Sequence, residues 1–240
     1  MKYKIALAAF LVAVTVLTAA RGVRYHAARR ASAEIRRTPL TLIVDPGHGG
    51  EDGGAVSENG LVESGVNLDI AKRVDALAAF FGVRTVMTRE SEAIEYSANA
   101  STTRMRKTED QHARLALIRA SDSAVFLSIH QNQYPKPGPF GAQVLYAGTP
   151  GSAEFGNTMQ TALTGALNPS NRRAASRIED NIFLMNHIDC PAVLVECAFL
   201  SNPTEEALLK TELYRLKLAA VITAGFLQSR AGLESIYTAQ

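Results

Sequence analysis

Thr41-Leu42-Ile43-Val44-Asp45-Pro46-Gly47-His48-Gly49-Gly50 is the stretch on which the fold turns. A β-branched apolar run ends in Pro-Gly, which reads as a short buried strand with a turn behind it. The glycine-rich residues from Gly47 to Gly60 must then be loop. From Val62 the pattern changes, and Val62, Val66, Ile70, Val74 and Leu77 recur at intervals of four and three, one face of a helix. Gly82 follows, and Val83 to Thr88 gives a second strand. A buried strand, a loop, a helix and another strand form the opening unit of an α/β domain.

The same alternation continues downstream. Residues 89–108 are polar and without period, an expected excursion loop, and Asp110 to Ala120 returns to helical spacing with Leu115 and Ile118 inward. Ala124 to Ile129 is a third strand, Ala142 to Tyr146 a fourth, Glu154 to Leu167 a helix, and Ala192 to Val195 the last clear strand. Asn202-Pro203-Thr204-Glu205 has the cap, first-turn proline and later glutamate of a helix start. Thr211 is expected to cap a final helix ending near Arg230. Strands alternating with helices predict a single α/β domain, a mostly parallel twisted sheet with helices on both faces, over residues 41–232.

The amino-terminal residues have a different composition. Residues 1–40 carry eight basic side chains against Glu34, and the other 200 residues carry 17 basic and 22 acidic ones. A slightly acidic body excludes nucleic acid as the expected partner, since that needs a basic face on the folded domain. Lys2 and Lys4 precede an uncharged run from Ile5 to Ala20. At 1.5 Å per residue this run reaches roughly 24 Å, short of the ~30 Å hydrocarbon core of a bilayer. It reads as a secretory signal peptide with Thr18-Ala19-Ala20 as the small-residue cleavage site, or as an uncleaved anchor. The arginines after the run oppose export by the positive-inside rule; the expectation is still an exported protein that meets a membrane only through residues 1–20. Residues 21–40 form a basic stem. Cys190 and Cys197 flank an extended segment that sets them about 23 Å apart, well beyond disulfide reach.

Four metal-competent side chains fall at strand ends or helix starts. His48 follows the first strand, Glu63 sits in the first turn of the first helix, His130 ends the strand from Ala124, and Glu196 ends the strand from Ala192. In open α/β sheets these positions share the carboxyl edge, where ligands bind. Two imidazoles and a carboxylate make a hydrolytic zinc site, and a further carboxylate is required as general base. Each residue also has a plain structural alternative, so the signal is the convergence. Asp45 is expected either to orient a ligand imidazole or to cap its turn, and His112 and His187 to be structural or exposed.

Val44-Asp45-Pro46-Gly47-His48-Gly49-Gly50, the Glu63–Leu68 segment, Ser128-Ile129-His130-Gln131-Asn132 and Val195-Glu196-Cys197-Ala198-Phe199-Leu200-Ser201-Asn202 resemble the four signature blocks of the zinc-dependent N-acetylmuramoyl-L-alanine amidases of type 3, in order and spacing. The resemblance runs from about Leu42 to Leu227. It implies zinc held by His48, Glu63 and His130, Glu196 as the catalytic residue, and Asn132 and Arg114 as candidate substrate contacts. It also implies cleavage of the amide between N-acetylmuramic acid and L-alanine in peptidoglycan. The short leader, single domain and Thr88-Arg89-Glu90 loop look most like the spore-cortex subgroup, which would place the protein at the cell wall or between the forespore membranes; the sequence leaves open whether a protein activator is needed. Two departures stand out: Ala198 where the family has glycine, and Cys197, read as a small apolar residue. A zinc carboxypeptidase or deacetylase and a catalytically silent wall-binding module are the alternatives.

Overall fold

The computed structural model describes residues 39–136, 138–179 and 182–238; the leader and nearly all of the stem lie outside them. Six strands form one sheet in the order β2-β1-β3-β6-β4-β5. β1 (Thr41–Pro46), β2 (Arg84–Met87), β3 (Ala124–Asn132) and β6 (Ala192–Phe199) are parallel to their neighbours in this set. β4 (Gln143–Tyr146) runs antiparallel to β6 and carries the two-residue β5 (Ser176–Arg177).

The alternation of side chains along the strands builds the two layers. Leu42 and Val44 of β1, Val125 and Leu127 of β3, and Val193 and Val195 of β6 enter one core with α1 (Glu63–Phe80), α3 (Ser152–Leu167) and α6 (Glu212–Thr238). Ile43, Phe126, Ala192 and Leu194 point the other way, against Leu115 and Ile118 of α2 (Thr103–Arg119) and Met185 of the short α4 (Phe183–His187). The expected mostly parallel sheet with helices on both faces is what forms. α5 (Pro203–Leu209) starts at the Asn202 cap, whose Oδ1 accepts from the Thr204 and Glu205 amides.

Several boundaries differ from the sequence reading. β3 continues three residues past Ile129, and β6 continues to Phe199, so His130 and Glu196 do not end their strands; they lie opposite one another in register. α2 begins at Thr103 rather than Asp110, because the Thr102 hydroxyl accepts from the Met105 amide and starts the helix where no apolar period announces it. α6 runs to Thr238, past both Arg230 and the expected domain end at residue 232, and Tyr237 Oη bonds the Ala124 carbonyl. Ala198 lies in ordinary strand geometry, since His48 and Ser123 are the non-glycine residues with positive φ among those described. Alanine there carries no strain. Cys190 and Cys197 are both buried and free. Cys197 projects into the α1 core, and burial pushes its thiol well above its usual range. No described helix is long and apolar enough to cross a membrane.

Candidate metal centre

The carboxyl ends of β1 and β3 and the start of α1 bring His48, Glu63 and His130 together, with donor atoms all within 4.8 Å of one another. Glu63 is fixed first. Its Oε1 accepts from the Gln131 amide at 3.0 Å and Asn67 Nδ2 at 3.2 Å, and its Oε2 from the Ala55 amide at 2.9 Å. Each oxygen also faces one imidazole: Oε1 lies 3.1 Å from His130 Nδ1 and Oε2 lies 3.3 Å from His48 Nε2. Burial would raise the Glu63 pKa, but the two imidazoles hold it well below the usual carboxylate range.

His48 is held from behind. Its Nδ1 lies 3.1 Å from Asp52 Oδ1, and Lys107 Nζ is 2.8 Å from the other Asp52 oxygen. Burial opposes charge on His48, yet Asp52 and Glu63 outweigh it and push its pKa up to about 9. The backbone at His48 is left-handed, φ 61°, a conformation uncommon outside glycine. Two buried arginines hold this curl. Arg89 donates to the carbonyls of Pro46, Gly47 and His48, and Arg114 to those of Pro46 and His48. Gly47 is needed for a different reason: a Cβ there would stand 2.2 Å from His130 Nε2.

Glu196 lies opposite His130 across the β3–β6 pair and lines the same pocket of about 410 Å³. Its Oε2 is buried without a hydrogen-bond partner among the described residues. Burial pushes its pKa up to about 7; His130 and His48 pull it down and Glu63 pushes it up. A carboxylate oxygen left this way needs something in the pocket to meet it.

Asn132 lines the pocket beside Glu196 and remains a candidate contact for substrate. Arg114 lines the same pocket, and it also braces the loop. Its guanidinium bonds Asp45, Asp110 and the two loop carbonyls, and these acceptors occupy the fork. Asp45 takes neither expected role: its oxygens accept from Arg114, Thr88 and Ser128, and no imidazole reaches it. Asp52 orients the ligand instead. Sequence reading passed over it, although a carboxylate four residues beyond a candidate ligand in a glycine-rich loop was the available sign. His112 and His187 pack on Phe183, with His187 exposed, as expected of residues outside the site.

The donor set suits zinc: two imidazole nitrogens, which ligate in their neutral form, and one carboxylate oxygen, with a spare carboxylate nearby. Asp52→Asn is expected to weaken zinc affinity about 10–100-fold, the usual cost of losing an acceptor behind a ligand imidazole. A chelator-competition titration reads this out, and unchanged affinity would remove Asp52 from the site.

Hydrolases that work through a metal ion share this combination at the carboxyl edge of a sheet. The family profile described as N-acetylmuramoyl-L-alanine amidase matches residues 42–228. The germination-specific N-acetylmuramoyl-L-alanine amidase of Bacillus subtilis (strain 168) is 37% identical over 188 residues, 78% of each protein. N-acetylmuramoyl-L-alanine amidase LytC of the same organism is 32% identical over 188 residues, 77% of this chain and 34% of that longer one. The CwlD amidase of Clostridioides difficile, solved in complex with the GerS lipoprotein, superposes with a TM-score of 0.76 at 33% identity, covering 80% of this chain and 98% of that one. The chain belongs to the N-acetylmuramoyl-L-alanine amidase family.

Proposed function

We propose that this protein is a zinc-dependent hydrolase that cleaves the amide between the lactyl group of N-acetylmuramic acid and the L-alanine of the peptidoglycan stem peptide. The unpartnered carboxylate oxygen of Glu196, facing two imidazoles and Glu63, carries the reading. His48, Glu63 and His130 would hold the ion, and zinc, when bound, supplies Lewis acidity toward the scissile carbonyl and toward water. Glu196 Oε2 takes a proton from the attacking water and delivers it to the alanine nitrogen as the C–N bond breaks. The products are a free lactyl carboxylate and a free amine. A pKa of about 7 suits a group that must both accept and return a proton near neutrality. Asn132, which lines the pocket, would hydrogen-bond the stem peptide.

Metal analysis of the purified full chain, followed by digestion of peptidoglycan and mass spectrometry, tests the proposal. About one zinc per chain and stem peptides beginning at L-alanine are expected. Release of D-alanine or acetate would identify a carboxypeptidase or deacetylase instead. His130→Ala is expected to lose most of the zinc; a variant with one zinc per chain would refute the ligand assignment.

The similarity to the germination-specific relative and to CwlD supports a place in spore cortex maturation, and the lipoprotein bound to CwlD supports a protein activator. Restored muramic δ-lactam in a Bacillus subtilis strain that lacks its germination-specific amidase would test the cortex role. Residues 1–20 are proposed to direct export. Fused to an enzyme active only after export, they are expected to give activity outside the cytoplasmic membrane; activity confined to the cytoplasm would overturn this.

A further inference from the structure

The edge of the sheet opposite the metal centre carries an exposed apolar feature among the described residues. α1 runs back from the triad edge and ends in Phe80 and Phe81, 82% and 55% exposed, with ring centroids 5.3 Å apart. They are the most prominent exposed aromatic pair among the described residues. A soluble surface gains nothing from a side-by-side pair of bare phenyl rings, and such a pair marks a contact.

The chain itself says which contact. Thr41 pairs with Arg84, so Pro39 and Gly82 enter this edge side by side, and Phe81 directly precedes Gly82. The upstream residues therefore join the domain next to the two rings. Those residues hold the uncharged run Ile5–Ala20 and then six arginines with one glutamate before Pro39. Arg84, exposed and without an ion-pair partner among the described residues, starts β2 three residues after Phe81. Exposed aromatic rings on a domain whose preceding sequence is apolar and then basic match an anionic lipid surface: aromatic side chains settle at the headgroup level, and basic residues are drawn to acidic lipids. An apolar run held in the bilayer, eighteen residues before Pro39, would make docking of the domain an intramolecular event, for which a small patch suffices.

We propose that Phe80 and Phe81 dock this edge of the domain on a phospholipid surface, with the His48–Glu63–His130 edge turned away from the lipid. The amidase reading is not needed for this proposal, and the test does not measure activity.

The chain contains no tryptophan, so Phe81→Trp installs a single fluorophore at the rings. The full chain carrying it is mixed with vesicles of phosphatidylglycerol and phosphatidylcholine, with and without bromine on the acyl chains. The expected result is emission shifted to shorter wavelength and quenched by the brominated lipid. Val56→Trp, at the triad edge where Val56 is 48% exposed, is expected to stay water-like and unquenched in the same vesicles. Water-like emission from the Phe81→Trp chain would overturn the proposal. So would a blue shift that brominated lipid leaves unquenched, which would mean that protein covers the rings. Quenching at both positions would overturn the orientation. Phe80→Trp repeats the measurement if the first variant loses its native circular dichroism.

Discussion

Glu196→Gln is expected to cut turnover at least ~100-fold, the lower end of what a positioned acid–base group contributes. The substitution keeps the size and planarity of the side chain and removes its capacity to hold a proton in transit. Glu63, His48 and His130 keep every contact described for them, because none of these contacts involves Glu196. Zinc content should therefore remain near one per chain, and the melting temperature should hold. Single-turnover rates on peptidoglycan, with metal analysis of the same sample, check both halves. Full activity, or loss of the zinc, would make Glu196 a structural residue or a fourth ligand.

Arg114→Met is expected to destabilise the domain by about 3–5 kcal/mol, the cost of leaving one member of a buried ion pair without its partner. Arg114 Nη1 lies 2.7 Å from Asp45 Oδ1, and both side chains are almost fully buried. Burial alone would raise the pKa of Asp45, but Arg114, Ser128 and Thr88 reverse this and hold it below the usual carboxylate range. In the native protein the pair thus contributes stability that is complete above the unfolded pKa and is lost as the pH falls through the lower folded one. Without the guanidinium, burial governs and the folded pKa of Asp45 rises. The deficit of the variant should then shrink as the pH is lowered and Asp45 takes up a proton. Denaturant melts of both proteins at pH 8 and pH 5 test this; a deficit that does not narrow would show that lost packing, not the orphaned charge, dominates.

The apolar strands were legible because burial on both faces leaves uninterrupted runs such as Thr41–Val44 and Ala124–Ile129. Their far ends were not, since His130, Gln131 and Asn132 are polar and stay in the sheet only through pairing with β6. The first two turns of α2 carry no apolar stripe, so only the Thr102 cap marks them. β5 and α4 have two and five residues, too few for a period to emerge. The four central residues of the site could be read because His48 and Glu63 flank the loop between β1 and α1, and His130 and Glu196 follow directly on the apolar runs of β3 and β6, although both strands continue past them. What surrounds them could not. Arg114 meets Asp45 from 69 positions away, a pairing that no local pattern encodes, and Asp52 reaches His48 only once the loop has curled to a left-handed φ.

That curl ties the metal centre to the folding of the chain from β1 through β3. His48 takes its position only after Arg89, from the segment behind β2, and Arg114, from α2, have closed on the carbonyls around it. Glu63 needs the amide of Gln131 at the far end of β3. A chain still emerging from a translocation pore, or one folded only as far as β2, possesses the ligand residues but not their arrangement. Under the export proposed above, a wall-degrading activity would stay latent throughout biosynthesis and transit, and zinc capture would report that the chain had folded at least through β3 on the far side.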